Sequence, residues 1–374
     1  VDRFAPARRA LDDQVTAGRF PGYVLATRAG GRDEVRAGGC DAVDGEPLRP
    51  DARFRTASIT KPVGAALALA LADDGVLDLD APVATWLPEL AEPRVLLDPA
   101  GPLDATEPAH RPVLVRDLLL LTPGFGYVPQ DGPLPRAMEE AGLGPSGGAP
   151  GMSPDEHLAR LAALPFAAQP GTRWLYHTAF DVLGTLLARR TGRALPDLLQ
   201  ERLLGPLGLT ATGFWAAPWD LVTAYQVGAG GLEVIDPPDG AWATPPRFPS
   251  LAAGLVSTAA DLLTFAAAVR DGGRGVLSGA AVRRLTTDQL SPAQRTSGAP
   301  VLDEGTSWTC GAGVVVAEGQ EVGRPGTWGW AGGLGTHLWA DPVRDLVVVV
   351  LTQACFDHTP GGGFAGFWRA LADG

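Results

Sequence analysis

The chain has 374 residues, 45% of them hydrophobic, with a formal charge of −12 and a pI near 4.9. That much apolar sequence supports a large core in one or two domains, and the acidic balance argues against nucleic acid or an anionic membrane as partner. The 49 glycines and 34 prolines point to a loop-rich enzyme rather than to disorder, because the apolar fraction stays high.

Residues 4–14 are amphipathic and read as a first helix. An apolar strand at 22–27, a turn at Gly30-Gly31 and a strand at 34–37 make a hairpin. From 58 to 73 the pattern turns helical, with Pro62 in the first turn, where its missing N–H is tolerated, and Gly75 as the stop. The apolar run at 63–72 is too short to span a bilayer. Residues 78–200 read as helices joined by Gly/Pro loops, of which 129–154 is the most loop-like. Residues 213–249 are rich in Trp and Pro without a period and read as a long covering loop. Helices return at 258–270 and 279–285. Strands follow at 311–317, 335–340 and 346–352, the last two joined by a turn at 341–345, and a helix at 364–372 closes the chain. The fold class is α+β: an antiparallel β-sheet flanked by helices, formed by the N- and C-terminal segments, with an inserted, mainly helical region. Residues 1–75 and 250–374 make the α/β domain, and 76–249 make the helical region with its pocket-covering loops.

Lys61 is the only lysine of the chain; the other 29 basic side chains are arginine, and asparagine is absent. Arginine stays protonated at any ordinary pH, whereas a desolvated lysine can lose its proton and act as a base. Lys61 stands three residues after Ser58, in Ser58-Ile59-Thr60-Lys61, at the start of the apolar helix. That places both side chains on one face about a turn apart, as a serine nucleophile with a neighbouring base requires. A surface lysine would satisfy the spacing equally well, so two further segments matter: Tyr176-His177-Thr178, after Pro170-Gly171-Thr172, and Trp330-Ala331-Gly332-Gly333, at the edge of the C-terminal strands.

These three segments, in this order, resemble the serine β-lactamase and penicillin-binding-protein superfamily on its class C side, and are closest in pattern to the family VIII carboxylesterases. The resemblance extends over nearly the whole chain, through Val115-Arg116-Asp117-Leu118-Leu119, Ala253-Gly254-Leu255-Val256-Ser257-Thr258 and Gly332-Gly333-Leu334-Gly335-Thr336-His337. It implies a β-lactamase/transpeptidase-like fold, Ser58 as nucleophile, Lys61 and Tyr176 as the proton-shuttling pair, and the N–H groups of Ser58 and Gly333 as the oxyanion hole. Two such donors are typically worth roughly 3–4 kcal/mol each. Which of Lys61 and Tyr176 takes the first proton is left open by the sequence.

The departures from that pattern are informative. The lactamases and peptidases carry a Lys, sometimes a His, at the start of the third segment, where this chain has Trp330. An indole offers an apolar face and one N–H donor, which suits a neutral or hydrophobic acyl group. Arg324 and His337 are the residues placed to compensate for the missing cation. The second segment ends in Thr178 instead of Asn, and a chain without asparagine cannot contain a Ser-Asp-Asn element. Gly332 is expected to bring the strand edge close to the substrate. His177, His337, Thr178, Trp330 and Gly332 are therefore the candidate substrate contacts, each with a plain packing role as the alternative. Trp215, Trp219, Tyr225 and Trp242 are either core aromatics or an apolar wall over the acyl site.

No Gly-x-Ser-x-Gly elbow occurs, and the dinucleotide-like run at 361–366 stands too near the C-terminal end of the sequence for a βαβ unit. Cys40, Cys310 and Cys355 are in no metal-ligand spacing and suit small core positions in a reducing compartment. With no signal-peptide pattern at residue 1, a cytoplasmic location is expected. No metal or organic cofactor is implied. The partner is a small-molecule ester or acyl donor, with an amine or alcohol acceptor in the alternative reading. The expected activity is ester hydrolysis through an acyl-serine; acyl transfer is the alternative, and β-lactam or D-Ala-D-Ala cleavage is less favoured. A catalytically silent scaffold is argued against by the intact Ser58, Lys61 and Tyr176.

Overall fold

A computed structural model describes residues 2–144, 150–355 and 363–373. Helix α1 (Ala5–Thr16) precedes the hairpin β1 (Gly22–Ala29) and β2 (Arg32–Gly39). A short strand β3 (Phe54–Arg55) leads through a 3₁₀ turn (Ala57–Ile59) into α2 (Thr60–Asp73). The middle of the chain carries a small ribbon, β4 (Arg94–Leu96) with β5 (Thr106–Pro108). Its helices are α3 (Val115–Leu119), α4 (Pro133–Glu140), α5 (Pro154–Ala162), α6 (Ala179–Thr191), α7 (Leu195–Leu199) and α8 (Gly205–Leu207). A second hairpin, β6 (Ala224–Gly228) and β7 (Gly231–Asp236), is followed by β8 (Val256–Ser257), α9 (Ala259–Arg270), α10 (Gly279–Thr286) and α11 (Pro292–Ser297). The C-terminal part is β9 (Thr306–Trp308), β10 (Gly313–Val315), β11 (Trp328–Gly332), β12 (Thr336–Asp341), β13 (Leu346–Thr352) and α12 (Ala365–Asp373).

Seven strands form one antiparallel sheet in the order β2-β1-β13-β12-β11-β10-β9, so the N-terminal hairpin is paired onto the C-terminal strands. The sheet is covered on both faces. Side chains alternate across a strand, and in β13 Val347, Val349 and Leu351 enter the large core beneath α2 and α9, whereas Leu346, Val348 and Val350 enter a second core with α1 and α12. This explains why β13 reads as an unbroken apolar run, Leu-Val-Val-Val-Val-Leu, and not as an alternation. Helix α2 is buried from Thr60 through Leu71 on every side, which makes it the central rod of the larger core. The expected α+β architecture, an antiparallel sheet flanked by helices, is observed.

Three local expectations are corrected. Residues 129–154 contain α4, whose Leu134 and Met138, four apart, bury one face; Pro133 opens it and the Ala-Met-Glu-Glu run favours helix. Residues 213–249 contain the β6–β7 hairpin, whose Val227, Val234 and Ile235 are exposed, so no apolar alternation marks it. Trp328–Gly332 is an interior strand paired with β10 and β12, not an edge. Two glycines among its five residues, at 329 and 332, conceal it from propensity. Residues 361 and 362 of the glycine-rich run lie outside the described residues.

Candidate active site

The Ser58 segment is set by β3. Thr56 N–H donates to Leu255 O at 2.9 Å, and Phe54 and Arg55 pair with Ser257 and Val256. The chain then turns at Ala57, which holds φ +46°. A left-handed alanine costs about 1–3 kcal/mol, and here it delivers Ser58 into the 3₁₀ turn just before α2. Residues three apart eclipse in such a turn, so the Lys61 side chain lies over Ser58, its Nζ donating to Ser58 Oγ at 2.9 Å. Lys61 is fully buried and also donates to Ala252 O at 2.7 Å. Burial disfavours its ammonium form and brings its pKa down to about 7, with Asp181 acting in the opposite direction.

The second segment enters from the helical region. Leu175 N–H donates to Leu121 O and Tyr127 N–H to Tyr176 O, both at 2.8 Å, and α6 begins three residues after Tyr176. The Tyr176 ring stands 4.5 Å from Lys61 Nζ, and its hydroxyl hydrogen-bonds Ser58. Burial pushes the phenol up to about 12, against the pull of the Ser58 and Trp330 hydrogen bonds. His177 follows with φ +80°, a second left-handed non-glycine beside a site residue. Its ring is buried edge-on to Tyr176, and burial, with Lys61 and His157 nearby, holds it well below the usual histidine range. Thr178 is 2% exposed, and among the described residues its Oγ1 has no hydrogen-bond partner.

The third segment is the end of β11. Trp330 Nε1 donates to the Tyr176 hydroxyl at 2.6 Å, and its ring meets Trp308 edge-on at 4.8 Å between centroids. The indole N–H is thus used within the protein instead of being offered to substrate. Gly332 is also differently placed from the expectation. It is buried, and a Cβ there would lie 2.3 Å from both Thr336 Oγ1 and Thr56 O. Its missing side chain lets β11 close onto Thr56, just before Ser58, while Gly333 is exposed and faces open space.

His337 is not at the site. It pairs with Ala331 across the sheet, and alternation turns its ring to the opposite face, against Phe364 at 4.4 Å and Trp368 at 5.4 Å. Arg324 lies within 3.6 Å of Asp341, at the far end of β12 from Thr336. Neither supplies the missing cation.

The sequence reading missed Trp308, Asp181 and the 250–254 turn. Trp174 stacks on Tyr176 at 5.4 Å and meets Trp308 at 5.5 Å, so three tryptophans from three segments, Trp174, Trp308 and Trp330, surround the phenol ring. Only Trp174 had a local signal, as the neighbour of the Tyr176 segment.

A family model described as beta-lactamase matches residues 7–361. A Mycobacterium tuberculosis protein (Protein Rv1367c) is 39% identical over 332 residues, 84% of this chain and 80% of its own. Esterase EstB of Burkholderia gladioli is 31% identical over 363 residues, 91% of this chain and 85% of its own. Among solved structures, EstCE1, described as a hydrolase with promiscuous acyltransferase activity, superposes with a TM-score of 0.84 at 25% identity, covering 98% of this chain and 97% of that one.

Proposed function

The chain belongs to the beta-lactamase family, and we propose that it is a carboxylesterase-type serine acyl hydrolase acting on neutral or hydrophobic esters of small molecules. The observation that carries this reading is the buried Lys61 Nζ at 2.9 Å from Ser58 Oγ, with Trp330 where a carboxylate-binding cation would stand. Neutral Lys61 takes the Ser58 proton as Oγ attacks the ester carbonyl. The N–H groups of Ser58 and Gly333 receive the developing oxyanion. Collapse breaks the ester C–O bond, and the proton returns to the leaving alkoxide from Lys61 through the Tyr176 hydroxyl. Water then attacks acyl-Ser58 by the reverse of these steps, releasing acid and free serine. Lys61 is the first base because it titrates at about 7, whereas a phenolate at Tyr176 forms only near 12. Acylation accordingly rises with pH through about 7, as Lys61 loses its proton, and levels above it.

Acyl transfer is the second reading. Any acyl-Ser58 can pass to an alcohol or amine in place of water, and EstCE1 carries both activities in its description. In either case the site is a seam: Ser58, Lys61 and Gly333 belong to the proposed α/β domain of 1–75 with 250–374, and Tyr176 to the proposed inserted region of 76–249.

Intact mass after mixing with p-nitrophenyl butyrate tests the reading. The expected result is a butyryl adduct in the parent protein and none in Ser58→Ala, with turnover lowered by roughly 10³ or more. Rapid loss of the adduct to water supports the esterase; persistence until an amine or alcohol is added supports the transferase. Retained turnover in Ser58→Ala would remove the mechanism.

A further inference from the structure

Behind Lys61 lies a buried carboxylate that the reaction above does not use. Asp181 is 3% exposed and forms no ion pair with an arginine among the described residues. Its Oδ1 accepts from Ser250 Oγ at 2.6 Å and from Ala252 N–H at 3.3 Å. Ser250 Oγ in turn accepts from the N–H groups of Ala252 and Ala253, at 3.2 and 3.1 Å. The residue whose N–H is tied to this cluster, Ala252, presents its carbonyl to Lys61 Nζ at 2.7 Å. Three residues on, Leu255 N–H donates to Thr60 Oγ1 and Leu255 O accepts from Thr56, which closes the turn onto the nucleophile segment.

We propose that Asp181 is a positioning residue for Lys61: its carboxyl group anchors the 250–254 turn through Ser250, fixes the Ala252 carbonyl on the Lys61 amino group, and when ionised places a buried negative charge near it. The proposal rests on the reading of Lys61 as the base, but its test does not depend on activity. Burial raises the proton affinity of Asp181, and two features work against that rise. It lies in the first turn of α6, where the helix dipole favours negative charge, and its hydrogen bonds are made to the ionised form. The titratable groups around Lys61 are Tyr176, His177 and Asp181, and His157 on α5 faces Asp181 from the other side. Burial holds both histidines below their ordinary range, so they stay neutral. In its ionised form Asp181 raises the proton affinity of Lys61, against the effect of burial.

Lys61 is the only lysine, so protein labelled with ¹³Cε-lysine gives one lysine signal that needs no assignment. Following that signal with pH in the parent protein, Asp181→Asn and Ser250→Ala tests the proposal. The asparagine keeps the shape and can still accept from Ser250, but loses the charge. Its Lys61 midpoint is expected to fall by roughly one pH unit, while the thermal midpoint of the protein changes little. Ser250→Ala, which loosens the anchor and raises the proton affinity of Asp181, is expected to move the Lys61 signal the same way by less. A Lys61 midpoint that stays in place in both variants, or a loss of thermal stability with no change in midpoint, would show Asp181 to be a packing residue and overturn the proposal.

Discussion

The floor of the site and the segment beside it are built on opposite terms. On the floor, Ser58, Lys61, Thr60 and Ser250 are buried and hydrogen-bonded, and a single methyl at position 332 has no room. Residues 213–249 lie along β3, held by Arg55, whose Nε donates to Asp236 Oδ2 at 2.7 Å and whose guanidinium stands 5.5 Å from the Trp242 ring. Beyond that anchor the segment turns apolar side chains to solvent: Trp219 is 79% exposed, and Trp215, Val227, Val234 and Ile235 are exposed as well. Tyr225 and Trp242 take the core role expected of aromatics, and no ring contact joins any of the four aromatic residues to Tyr176 or Trp330 among the described residues. The difference teaches where chemistry and variability reside. Altering proton affinities needs a dry, over-determined environment, whereas a surface segment can change with little effect on it.

The sharpest way to break this contrast is on the floor. Lys61→Arg is expected to lower kcat on p-nitrophenyl butyrate by roughly 10³, since arginine keeps its proton; near-native turnover would move the base role to Tyr176. Next is Gly332→Ala, whose added methyl forces β11 away from Thr56 and Gly333 from the oxyanion. A loss of about 10²-fold in kcat with a folded protein is expected, and an unaffected kcat would mean that Gly333 does not donate. Smallest is Trp219→Ala, expected to leave kcat/KM for butyrate within about threefold and stability within roughly 0.5 kcal/mol. A large loss there would make the flanking segment part of the acyl site.

The juxtaposition of Ser58 and Lys61 was legible because a helix fixes the relation between residues three apart, and Lys61 stood out because arginine fills every other basic position. The sheet formed by the two chain ends was legible from β1 and β13, which are long and apolar. What was hidden depended on contacts between distant segments. Trp308 reaches Tyr176 from β9, and the hydrogen bonds that link Asp181 to Lys61 run through residues 250–252. His337 was misplaced because its nearness to Gly333 in sequence says nothing about which face of β12 it occupies; a shift of one residue exchanges the two faces. Trp330 was placed at the site, but its N–H was assigned to substrate, since the position of the Tyr176 hydroxyl is a tertiary fact.

The pairing of β1 with β13 also orders events during synthesis. Gly22 N–H finds Gln353 Oε1, 331 residues later in the chain, so one edge of β1 stays open until that long stretch has left the ribosome. That edge belongs to a strand buried from Gly22 to Thr27, the kind of surface that recruits stray strands. Strand β11, which carries Trp330 and leads into Gly333, arrives in the same late interval. A nascent chain therefore carries Ser58 and Lys61 long before β11 to β13 close the sheet, and under the proposed mechanism it becomes reactive only then.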